Sequence, residues 1–67
     1  MMPRTLEELA SLISERDKIS YMEAMAIVRD CATDMEYAFY DGNLDLAEQI
    51  LADELGLEPD YMDLFIF

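Results

Sequence analysis

Sixty-seven residues allow a single domain, 1–67, and a fold this short buries only ~60% of its unfolded surface, so its core must come from an unusually apolar composition. The chain has one: 54% is hydrophobic, with six Met, four Tyr and three Phe, which argues against disorder, and the lone cysteine, Cys31, excludes an internal disulfide framework. Sixteen acids against four bases and no histidine, a net charge of −12, argue against direct binding of nucleic acid or an anionic membrane and favour basic partners.

The first helix is predicted to begin after Thr5. Thr5-Leu6-Glu7-Glu8 reads as a capping box, in which the threonine hydroxyl takes the Glu8 amide and Glu8 reaches back. Leu6, Leu9, Ala10 and Ile13 then fall on one side, and the helix should run to Arg16 or Asp17. Ser20-Tyr21-Met22-Glu23 is a second box, opening a long helix over about 21–40. Ala24, Ile27, Val28, Cys31, Met35 and Ala38 form its expected buried face, with Cys31 a small buried hydrophobe. Met22, Ala26, Arg29, Thr33, Tyr37 and Tyr40 project opposite, a partly apolar surface with nothing obvious to cover it.

Asp41-Gly42-Asn43 is the expected break, with glycine suited to a left-handed helix end and asparagine to the next N-cap. The third helix spans about 44–55, with Leu44, Ala47, Ile50, Leu51 and Leu55 inward and Asp45, Glu48, Gln49 and Asp53 outward. Glu54 falls on the apolar side, where it is expected to escape to solvent or pair with Arg16 or Arg29. Gly56 ends the helix, Pro59 opens a short last helical turn, and the apolar Leu64-Phe65-Ile66-Phe67 tail folds back or crosses into a second copy. The fold class is therefore all-α: a small three-helix bundle in which the first helix packs across a helical hairpin. An open hairpin completed by dimerisation is the alternative.

From Ala38 to Pro59 the chain resembles the second half of a tetratricopeptide repeat, through Gly42-Asn43, Ala47, Leu51 and Leu57-Glu58-Pro59. Stacked arrays of such repeats need ~3 copies, and there is room here for one. The likeness implies an antiparallel hairpin, with Ala47 permitting close approach, and no function.

Catalysis is not expected. There is no histidine to act as a base near neutral pH, no second cysteine and no glycine-rich phosphate loop, and the carboxylates are expected on solvated faces where nothing raises a pKa. Asp41, Asn43 and Asp45 open with the alternation of a calcium loop, but the sixth position is Leu46 and the twelfth Ala52, so neither metal nor cofactor is expected. No apolar run approaches the ~18 residues of a membrane span, and the N-terminus lacks the layout of a signal peptide, which makes the cytoplasm the expected compartment.

The acids carry the functional expectation. Residues 1–33 hold six acids and four bases, whereas 34–67 hold ten acids and no base. Glu23, Asp30, Asp34 and Asp41 fall in a narrow strip along the second helix, and Asp30 and Asp34 stand ~6 Å apart along its axis, close to the phosphate repeat of a strand. Asp45, Glu48 and Asp53 add a row on the third helix, and Tyr37, Tyr40 and Met22 lie alongside as anchors.

In size, charge and helicity the chain resembles small acidic DNA-mimic inhibitors of phages and mobile elements, of the anti-CRISPR and anti-restriction kinds. That resemblance implies a protein partner with a basic, nucleic-acid-binding groove, met by Glu23, Asp30, Asp34, Tyr37, Tyr40, Asp41, Asp45 and Glu48. An antitoxin-like role would share the mechanism. The competing expectation is a structural or adaptor module that docks or forms a homodimer through the Met22–Tyr40 face or the C-terminal tail.

Overall fold

The computed structural model describes residues 2–66. Local capping sets its helix limits. Thr5 is the N-cap of α1 (Leu6–Asp17), its hydroxyl accepting the Glu8 N–H at 3.1 Å. The Glu8 carboxylate reaches back one residue further than a capping box predicts, accepting the Arg4 N–H at 2.7 Å. Ser20 caps α2 (Tyr21–Tyr40) through the Glu23 N–H at 3.1 Å.

The turn between α2 and α3 (Leu44–Leu55) is a Schellman ending followed at once by a new cap. Asn43 N–H donates to the Ala38 carbonyl and Gly42 N–H to that of Phe39, which needs the left-handed φ of 70° that glycine adopts freely. Asn43 Oδ1 then accepts from the Leu46 N–H at 3.1 Å, opening α3. Gly56, at φ 66°, ends α3 in the same left-handed conformation.

The α1–α2 turn uses no glycine. Lys18 takes φ 57° and ψ 47°, its N–H bonded to the Ser14 carbonyl, and the Ile19 N–H reaches the same carbonyl at 3.1 Å. The Ser14 hydroxyl donates to the Ile19 carbonyl, tying the turn from its other side.

Packing organises the bundle around α2. It buries a single stripe of Ala24, Val28, Cys31, Met35 and Ala38, against which both α1 and α3 lie. The short α1 was expected to cross the hairpin; its principal neighbour is α2 alone. Ala47 is fully buried, as close approach of α2 and α3 requires. A seven-residue 3₁₀ helix (Pro59–Phe65) returns along α3, carrying Met62 and Phe65 into the core. The hairpin's apolar side is thus covered by α1 and the 3₁₀ helix of the same chain. Each fully buried large side chain, such as Leu9, Ile13, Leu51 or Phe65, contributes ~1.5–3 kcal/mol.

Two expected core residues are outside. Ile27 lies at the margin of the narrow α2 stripe and is exposed. Leu44 is 57% exposed because the first turn of α3 opens beside the end of the 3₁₀ helix rather than beneath it. The tail is turned inward at Phe65 and outward at Ile66, so Phe65 is taken from the set available to a partner. Phe67, also expected in that set, lies outside the described residues. Among the described residues no helix is long and apolar enough to cross a membrane; α2 has the length but carries Glu23, Arg29, Asp30, Asp34 and Glu36.

Candidate partner-binding surface

All eight expected contact residues are exposed. Their grouping follows from helix geometry and from how α2 meets α3. At 100° per residue, Glu23, Asp30, Asp34 and Asp41 occupy one side of α2, with Tyr37 beside them. Tyr37 is 72% and Tyr40 90% exposed, and together with Thr33 and Glu36 they line a shallow depression. Met22 belongs to a separate patch near the start of α2, with Tyr21, Met25, Ala26, Arg29 and Asp30.

The strip borders α3, and there the structure adds residues that the sequence pattern had placed elsewhere. Glu54 meets Asp34 within hydrogen-bonding reach, with Asp30 and Asp53 close enough to act on its charge. Glu54 is exposed, the escape to solvent expected of it, and its pairing with Arg16 or Arg29 does not form. Arg16 is committed to Asp17, Nε to Oδ1 at 2.9 Å and Nη2 to Oδ2 at 3.1 Å, the one ion pair among the described residues. Arg29 lies across α2 in the Met22 patch.

With no cation at hand, partial burial first, then the Asp34 hydrogen bond, then the charges of Asp34, Asp30 and Asp53 push the Glu54 carboxyl up to about 7. This corrects the expectation that no carboxyl would be perturbed. Neither groove beside the seam on α2 includes Glu54.

Asp45 and Glu48 do not join the strip. Glu48 lies one turn from Leu44 on the same side of α3, and Leu44 opens toward Phe65 and Ile66. Asp45 lies in the first turn of α3, where a negative charge complements the helix dipole. The acids gathered by the fold are therefore Asp30, Asp34, Asp53 and Glu54, with Glu23 and Asp41 extending the row. Asp53 belongs to the row expected on α3, whereas Glu54 does not follow from the acidic pattern; its signal is its place on the side of Ala47, Ile50 and Leu51.

Beneath this seam Cys31 is fully buried, its thiol donating weakly to Met35 Sδ at 3.7 Å. Burial, and then the Glu54 and Asp34 charges, push it up to about 12, so almost no reactive thiolate forms. No group of three or more Cys, Asp or Glu side chains among the described residues is arranged to hold a metal ion.

The class so defined is a small all-α bundle with an acidic, tyrosine-flanked face. Comparison with protein-family models, with curated proteins and with solved structures finds no match.

Proposed function

We propose that this protein is a non-catalytic inhibitor of the cytoplasm that offers a nucleic-acid-like row of carboxylates to the basic groove of a nucleic-acid-binding partner. The observation that carries this reading is the row itself: Glu23, Asp30, Asp34 and Asp41 on α2, widened by Glu54 and Asp53 on α3, none of them in an ion pair. Fixed acids crowded until one resists ionisation raise the energy of the free protein. A partner's lysines and arginines relieve that repulsion on binding. Tyr37 and Tyr40, both largely exposed, supply apolar area beside the charges.

The test is capture of partners from a host lysate on the tagged full chain, eluted in steps of salt. A nucleic-acid-binding protein that leaves well before ~1 M salt, where the screening length is ~3 Å, and that duplex DNA or RNA displaces supports the reading. It should not be retained by an Asp30→Lys, Asp34→Lys variant. Capture that persists through high salt favours the adaptor reading, for which the exposed Met22, Leu44 and Ile66 speak.

A further inference from the structure

At the turn end of the bundle three elements leave an apolar groove. Phe39 and Tyr40 come from the last turn of α2, Leu44 from the first turn of α3, and Phe65 and Ile66 from the end of the 3₁₀ helix; Glu36 stands at the rim. Phe65 is the buried floor, while Tyr40, Leu44 and Ile66 are exposed walls. The Met22 patch, by contrast, belongs to a single helix and carries Arg29 beside Asp30, so neither a fold in the surface nor a uniform charge marks it.

We infer that this groove receives an amphipathic helical segment of another protein, apolar on the inserted face and basic at its margins. Charge complementarity selects that occupant. Glu36 is the one charged residue among those lining the groove, Asp63 lines the adjoining groove with Asp60, Asp41 and Asp45 directly follow Tyr40 and Leu44 in sequence, and no lysine or arginine occurs after Arg29. The one base near this end, Arg4, lies in the adjoining groove, already beside Asp60 and Asp63. A second copy of this chain is disfavoured as the occupant by the same reasoning, since it brings a net charge of −12 against −12. Apolar side chains spaced one helical turn apart fit a groove whose walls come from helix ends, and lysines beside them meet the acids at the rim.

The groove shares Tyr40 with the acidic surface proposed above, and its walls Leu44 and Ile66 with the adaptor reading. The inference stands whether or not that partner binds nucleic acid.

The experiment titrates the isotope-labelled full chain with three synthetic helical peptides, followed residue by residue by NMR. One is leucine–lysine, one keeps the leucines and replaces lysine with glutamate, and one keeps the lysines and replaces leucine with serine. The leucine–lysine peptide should shift Phe39, Leu44, Phe65 and Ile66 together. The Leu44→Asp, Ile66→Asp variant should lose at least ~10-fold in affinity for it, the worth of one or more buried side chains. That variant adds negative charge, so adhesion by charge alone would strengthen instead and would overturn the inference. Equal binding of the lysine–serine peptide at the groove would overturn it too, as would concentration-dependent self-association that shifts the same residues. The Asp30→Lys, Asp34→Lys variant should keep groove binding, so failure of the acidic-strip reading is told apart from failure of this one.

Discussion

The carboxyl groups of Asp34 and Glu54 face each other across the α2–α3 seam with no cation between them. Glu54 consequently holds its proton up to about 7 in the folded chain, against an ordinary value of 4.5. Folding therefore takes up a proton in that window, and stability contributed by the protonated seam is fully present below pH 4.5, falls as pH rises, and is gone above about 7. The melting temperature should be lower at pH 8 than at pH 6. Glu54→Gln, which keeps the shape and removes the charge, should raise it at pH 8 and flatten that part of the profile. An unchanged pH profile in Glu54→Gln would assign the slope to the remaining acids.

The helix limits were legible because capping is a local matter. Thr5, Ser20 and Asn43 each accept the N–H three residues on, a pairing that spacing alone reveals. The α2 acids were legible for the same reason, since a helix carries its own register. What Glu54 meets was not, because that depends on the rotation of α3 against α2. The same rotation carried Glu48 away from the strip and Leu44 into the open. The chain's own charges gave no warning, since Arg16, a candidate partner for Glu54 by sequence, closed on its neighbour Asp17.

Lys18 and Gly56 adopt nearly the same left-handed backbone, φ 57° and 66°, yet only one is glycine. Left-handed conformations cost a side-chain-bearing residue ~1–2 kcal/mol, part of which glycine returns through its freer unfolded state. Lys18→Gly should therefore stabilise by ~0.5–1 kcal/mol. Gly56→Ala should destabilise by ~1 kcal/mol through strain alone, because the added Cβ would stand 3.8 Å from Arg16 Nη1 without a clash. Urea titrations of the two variants should move in opposite directions.

Removal of the Asn43 cap tests whether the hairpin turn is set locally. Asn43→Ala strips the Leu46 N–H of its partner and should cost ~1 kcal/mol, or ~4–8 °C in melting temperature for a domain of this size. Asn43→Asp keeps an acceptor and adds charge at the helix N-terminus, so it should recover most of that loss. Equal losses in both variants would place the turn's stability in the Gly42 ending instead.

The inward turn at Phe65 and the outward turn at Ile66 make adjacent substitutions diverge. Phe65→Ala removes one of the largest buried side chains of the core, and should cost ~3–5 kcal/mol, enough to unfold a marginal domain of this length. Ile66, 57% exposed, should tolerate alanine within ~0.5 kcal/mol. Comparable losses at both positions would mean that the tail packs as a unit.

Cys31 gives a probe of opening at the seam itself. A thiol pushed up to about 12, fully buried beneath Glu54 and Asp34, presents almost no thiolate at pH 8. Its modification by a thiol reagent should therefore follow the unfolding equilibrium, accelerating in parallel with loss of helicity as urea rises. Glu54→Gln, by stabilising the seam at pH 8, should slow the reaction; below pH 4.5 the two proteins should converge in their opening free energies. Rapid labelling of the native chain, independent of urea, would show that α2 and α3 part locally at Cys31 while the rest of the bundle holds.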